Sequence, residues 1–152
     1  MRVPIYEALA YYKKNEELPY TEYFSLGFFS DISLAESTIA ESKKLVGFSD
    51  LNDNSFSITT HYLNDCAHIG NEVSYEIINN KVYGVWYDYD IDDYYTCSGY
   101  IGLFSTLEYA EKALKWYKTW DIFKVYGLDC LGIDTITLNL RGLTEGFITV
   151  YD

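Results

Sequence analysis

Apolar and polar positions follow two periods along this chain, and the same order of periods occurs twice. In the C-terminal half, Lys81–Asp90 (KVYGVWYDYD) and Tyr94–Phe104 are rich in Val, Tyr, Trp and Phe. They predict two antiparallel strands joined by the acidic turn Ile91–Asp93. Ser105-Thr106-Leu107-Glu108 has the S-x-x-E form of a capping box, in which the Ser and Glu side chains satisfy amides left unpaired at a helix start. The helix it opens is predicted to run to about Lys118, with Leu107, Ala110, Leu114 and Tyr117 on one face. Gly132–Leu140 (GIDTITLNL) alternates and is β-branched, predicting a third strand.

The N-terminal half carries the same plan. Phe24–Phe29 is the strand, Ser30 or Asp31 the cap, Ile32, Ala35 and Ile39 the buried helical stripe, and Phe56–Leu63 the closing strand. Tyr6–Glu17 looks helical by local propensity, yet it occupies the place of the Val82–Tyr89 strand. A strand around Val3–Tyr11 is therefore predicted, since tertiary context overrides propensity.

The correspondence is explicit in the residues. Displaced by 75 positions, Tyr20–Asn64 falls on Tyr95–Asn139 without a gap, and thirteen of the 45 pairs are identical. They include Gly27/Gly102, Phe29-Ser30/Phe104-Ser105, Ala35-Glu36/Ala110-Glu111, Phe48/Phe123 and Leu63-Asn64/Leu138-Asn139. Self-similarity of this length points to one supersecondary unit used twice. The expected fold is α+β: two tandem strand–strand–helix–strand repeats, about 3–64 and 82–139, with a connector over 65–81. They would pack as one pseudo-twofold domain over 1–152, with antiparallel sheet and two main helices. Gly27 and Gly102 fall inside strands in both copies, predicting a bulge or a close backbone approach. Val73–Ile78, in the connector, reads as an edge strand.

Composition adds direction. Net charge is −12, and between Lys44 and Lys112 eleven acids face one base, Lys81. Such a field repels nucleic acid and anionic membranes and attracts a basic partner. Tyrosine occurs 17 times, more than a small core can hold beside eight Phe and three Trp, and exposed Tyr suits recognition surfaces. No apolar run approaches the ~18 residues of a membrane span, and the first residues lack a basic segment followed by an apolar one. Cys66, Cys97 and Cys130 are odd in number and far apart, which fits reduced thiols in a cytoplasmic protein.

Most candidate chemistry fails on its own requirements. Asp88-Tyr89-Asp90-Ile91-Asp92-Asp93 offers the alternating acids of a calcium loop, but the Gly and Glu such a loop needs at its sixth and twelfth positions are replaced by Asp93 and Gly99. Asp50–Asn54 fails likewise. His61, Cys66 and His68 lie close enough for a metal or a Cys–His pair, but a structural zinc site needs four ligands and no second cluster exists. No Gly-rich phosphate loop or nucleophile elbow occurs. No cofactor and no catalytic residue is expected. What remains is a surface, Trp86, Asp88, Tyr89, Asp90, Asp92, Asp93, Tyr94 and Tyr95, where aromatics and carboxylates interleave only in the second copy. Its counterpart, Tyr11–Glu17, has balanced charge. Strand alternation puts Trp86, Asp88 and Asp90 on one face, expected to meet solvent, and Val85, Tyr87 and Tyr89 on the other.

The residues Val82-Tyr83, Gly102-Leu103-Phe104-Ser105-Thr106, Ala110, Phe123 and Thr144-Glu145-Gly146-Phe147 resemble the pattern of a small bacterial and phage α+β domain family. That pattern has an aromatic-acidic strand, a G-x-F-S-S helix start and a W-x-E-G-F-like ending. Leu143 stands where the family has Trp. The size, acidity and aromatic content also resemble immunity proteins that neutralise bacterial toxins. The resemblance implies a non-catalytic inhibitor whose acidic, Tyr-rich face docks on the basic cleft of a toxin or nuclease. Two alternatives stay open at this point: a phage or mobile-element inhibitor whose carboxylates imitate DNA phosphates, and a small enzyme or metal protein using His61, Cys66 and His68.

Overall fold

The structure, a computed structural model, describes residues 2–12, 22–91 and 96–146. Six strands and three α-helices are formed among them, β1 (Pro4–Tyr12), β2 (Glu22–Phe29), α1 (Ile32–Ser42), β3 (Phe56–Tyr62), β4 (Lys81–Asp90), β5 (Thr96–Phe104), α2 (Leu107–Tyr117), α3 (Asp121–Tyr126) and β6 (Leu131–Thr137). The fold is α+β with two three-stranded antiparallel sheets, ordered β2-β1-β3 and β5-β4-β6. The N-terminal segment is strand, as its position in the repeat predicts and its propensity does not. The third helix, α3, was not foreseen, and Val73–Ile78 forms no strand, only a bridge from Ile78 to Lys81. No helix of the described residues is long and apolar enough to cross a membrane.

The chain divides into two compact units, 1–4 with 61–137, and 5–60 with 138–152. Each has a bulged hairpin at its heart. Pairing shifts by one residue between Ala8 and Leu9 against β2, and between Val85 and Trp86 against β5, directly beside Gly27 and Gly102. A Cβ on Gly102 would stand 2.9 Å from the Phe104 ring and 3.2 Å from the Tyr117 hydroxyl of α2. One on Gly27 would stand 2.5 Å from the Leu140 carbonyl oxygen. Both glycines thus sit beside the bulge read from sequence; the close approach to the helix that was the other expectation occurs at Gly102, whereas Gly27 faces the Leu140 backbone.

The helical stripes keep most of the predicted residues, with Ile39 and Leu114 packed on the cores, and differ at their first positions. α1 buries Ala35, Thr38 and Ser42, and α2 buries Ala110, Ala113 and Tyr117, whereas Ile32 and Leu107 are exposed. Both stripes run at i, i+3 and i+7 and begin with small residues, which lets each helix lie close on its sheet. In the first unit α2 and α3 cover one face of β5-β4-β6, around Val85, Phe104, Phe123 and Leu131. In the second, Ala8, Ala10, Leu26 and Phe29 pack with Ala35 and Phe48.

Capping differs from the predicted box. Thr106, not Ser105, is the N-cap of α2, its hydroxyl accepting from the Tyr109 amide at 3.1 Å. Asp31 caps α1, its carboxylate accepting from the Ser33 amide and hydroxyl at 2.8 Å, which holds its pKa below the usual carboxylate value. The two serines serve another purpose. In the first unit the Ser105 amide donates to Asn64 Oδ1 at 2.9 Å, and Asn64 Nδ2 donates to Ser105 Oγ at 2.9 Å and to the Ser74 carbonyl at 3.0 Å. In the second unit the Ser30 amide donates to Asn139 Oδ1 at 3.0 Å, and Asn139 Nδ2 donates to Ser30 Oγ at 3.1 Å. Both asparagines hold left-handed backbones, φ 59 and φ 63, which Asn tolerates better than most residues.

The junctions differ in burial, and that sets their energetic weight. Asn64 and Ser105 are buried, while Ser30 and Asn139 are exposed. Asn64→Ala strands a buried amide and is expected to lower unfolding free energy by about 2–3 kcal/mol, against less than about 1 kcal/mol for Asn139→Ala, where water replaces the lost partner. Urea titration of both variants checks this, and equal losses would count against it.

Candidate functional site

β4 is the central strand of its sheet and carries the candidate surface. Its residues alternate as predicted: Val85, Tyr87 and Tyr89 pack toward the helices, and Asp88 and Asp90 are exposed on the opposite face with Trp86. Trp86 is only half-exposed, because its indole lies across Gly132 on β6, where an added methyl would overlap the ring. Tyr100 of β5 reaches further. Its ring passes over Gly84 of β4, 2.7 Å from where a Cβ would stand, and its hydroxyl donates to Asp134 Oδ2 of β6 at 3.0 Å. Two glycines thus let two aromatic rings lie flat on this face. Asp92, Asp93, Tyr94 and Tyr95, also predicted for the surface, lie outside the described residues.

The register creates a notch at one edge. Pairing of β4 with β6 ends at Tyr87 and Leu131, while β4 continues to Asp90. The space beside Asp88–Asp90 holds the 3-10 turn Leu128–Cys130 that follows α3. Together they form a groove of about 370 Å³ lined by Asp88, Tyr89, Asp90, Tyr126, Asp129 and Cys130. Tyr89 and Tyr126 stack across it with ring centroids 4.4 Å apart and planes at 20°. Among the described residues no basic side chain pairs with Asp88 or Asp129.

Titration reflects this crowding. The Tyr89 phenol is pushed up to about 12, first by its hydrogen bond to Cys97, then by desolvation and the neighbouring Tyr87 and Tyr126. Burial pushes the Cys130 thiol up as well, aided by Asp129 and Asp88, and its Sγ donates to the Gly127 carbonyl at 2.8 Å. A thiol held in its neutral form is a poor nucleophile.

Asp129, Tyr126 and Cys130 are the residues that sequence reasoning missed. The signals present were weak: Gly127 ending a six-residue helix at φ 93, and Phe123 matching Phe48 as a core anchor. The His61, Cys66 and His68 grouping is not a cluster. His68 is exposed and stacked on Trp116 at 3.7 Å, and Cys66 is hydrogen-bonded to Tyr117, whose phenol is raised by burial, then by Cys66 and Asp65. Among the described residues no three His, Cys, Asp or Glu side chains come together as metal ligands would. Comparison with protein-family models, curated proteins and solved structures gives no significant match.

Two outcomes follow from this geometry. Gly132→Ala is expected to lift the Trp86 indole into water, shifting its emission to the red when Trp116 and Trp120 are replaced by Phe; an unmoved spectrum would show that the ring does not rest there. The second concerns alkaline pH. A phenol whose folded pKa lies above its unfolded value of about 10 contributes stability below pH 10 and loses it as pH climbs toward 12. Tyr89→Phe should therefore flatten the decline in stability across that window, measured by urea unfolding with phenolate absorbance followed in parallel.

Proposed function

We propose that this chain is a non-catalytic binding protein of the immunity type, which neutralises a basic toxin or nuclease by docking the acidic, aromatic end of β4 on its cationic cleft. The observation that carries this reading is the groove at that end: three carboxylates, Asp88, Asp90 and Asp129, from two separate segments, around a stacked tyrosine pair. Asp88 and Asp129 lie close together with no basic side chain paired to them among the described residues, so they repel one another, and a positive surface relieves that repulsion as it binds. The flat Trp86 and Tyr100 rings and the carboxylate of Asp134 extend the same chemistry over the sheet face. Rigid aromatics of this kind bury large area at small entropic loss. The resemblance of Val82–Phe147 to a bacterial and phage domain family, and of the whole chain to toxin-neutralising proteins, points in the same direction.

The test is kinetic. Association with the basic product of the adjacent open reading frame should slow steeply between low and physiological ionic strength, because steering by charge is screened over about 8–10 Å. Asp88→Asn with Asp90→Asn should lower the association rate by about tenfold at low salt and leave the fold intact by circular dichroism. An association rate indifferent to salt, or a double variant as fast as the parent, would refute the docking surface. A partner whose activity survives saturation with this protein would refute neutralisation.

A further inference from the structure

Among the described residues, the outward face of α3 has no neighbour that explains its composition. Ile122, Val125 and Tyr126 stand at i, i+3 and i+4, one stripe of a helix, and are 44%, 78% and 40% exposed. The helix is anchored by Phe123 alone, buried against Tyr87, Tyr89 and Trp120 on the opposite side. A six-residue helix with a single inward anchor has little use for a second apolar stripe unless something covers it. Tyr126 belongs both to this stripe and to the wall of the acidic groove. The stripe therefore runs directly into Asp88, Asp90 and Asp129, with Lys124 the one base on the helix.

We infer that the α3 stripe and the adjoining groove form one docking surface for a basic amphipathic segment of a protein partner, whose apolar side chains cover Ile122 and Val125 while its Arg or Lys side chains enter the groove. The inference rests on the binding reading above and deepens it by naming the partner's chemistry. Charge decides between occupants. A second copy of this chain would bring its own carboxylates against these, in a molecule of net charge −12, whereas a cationic segment satisfies both halves of the surface. The apolar contact would set the dissociation rate, since desolvated anchors hold most binding energy, and the carboxylates the association rate.

The experiment uses the isotope-labelled full chain and two short synthetic peptides, one alternating Arg and Leu, the other Arg and Ser. The Arg/Leu peptide is expected to shift the amides of Asp88–Asp90 and Ile122–Cys130 together, and to bind about tenfold more tightly than the Arg/Ser peptide. Ile122→Ser with Val125→Ser should remove that advantage and leave Arg/Ser binding unchanged; both side chains are well exposed, so the fold survives, which the spectrum itself verifies. Equal affinity of the two peptides for the parent chain, with shifts confined to Asp88–Asp90, would overturn this inference while leaving the acidic docking surface standing. Binding of neither peptide would remove both. Concentration-dependent dimerisation abolished by Val125→Ser would overturn it in favour of a second copy.

Discussion

A hydrogen-bonded asparagine marks the same junction in each compact unit of this protein, buried in one and exposed in the other. Asn64 in one and Asn139 in the other leave their strands in a left-handed turn and meet the serine that follows the second strand of a hairpin. In each case the asparagine backbone N–H also donates to a strand carbonyl, Leu103 for Asn64 at 2.9 Å and Phe28 for Asn139 at 2.7 Å. One residue, through its backbone N–H and its side chain, thereby fixes the exit of the hairpin and the entry to the helix at the same point. Positions 75 apart carry the same bonds, so the identities Ser30/Ser105 and Asn64/Asn139 have a physical cause in the bonds these residues make. It also explains why Ser105 does not cap α2. Its amide and hydroxyl are committed to Asn64 and Ser74, and the cap passes to Thr106.

Once the helix entry is fixed, the rest of the first unit is constrained. α2 must lie on the face of Val85, Tyr87 and Phe104, brought close by Gly102 and by its stripe of Ala110 and Ala113. The other face of β4 is then left to Trp86, Asp88 and Asp90 by simple alternation. Gly84 and Gly132 complete the arrangement, because rings can cross a strand only where the strand has no side chain. The exposed aromatic and acidic face is therefore a consequence of how the helix is seated, and not an appendage to it.

The sequence made the strands legible because their signal is redundant: alternation, β-branched and aromatic content, and a second copy that corrects the misleading helical propensity of Tyr6–Glu17. The helices were legible in place and, apart from their first residues, in orientation: Ala35, Ala110 and Tyr117 are buried, and Ile39 and Leu114 pack on the core. In α2 only Leu107 departs from the predicted stripe, being exposed, while the unpredicted Ala113 is buried because its small side chain fits against the sheet. α3 was illegible because six residues carry too few periods to stand out, and its apolar residues fall on both sides. The groove was illegible for a deeper reason. Asp88 and Asp129 are far apart in sequence and meet only because β6 starts too late to pair with Asp88–Asp90. No pattern in either segment encodes that mismatch of strand lengths.

That mismatch also exposes a hazard, and the charges answer it. A strand that outruns its neighbour offers unpaired backbone groups to any passing extended chain, and an apolar helix face beside it would compound the risk of aggregation. Asp88, Asp90 and Asp129 line the groove at this edge, beside the turn Leu128–Cys130. They repel a second copy of this strongly acidic chain as it approaches, yet attract a cationic one. Because repulsion and attraction come from the same carboxylates, neutralising them should not give a weaker but still selective binder. It would release the edge and the Ile122–Val125 stripe to pair indiscriminately, so selectivity and solubility would fall together. On the proposed reading, the acidity concentrated in the middle of the chain would do two things at this site, keeping copies of the protein apart and favouring a partner of opposite charge.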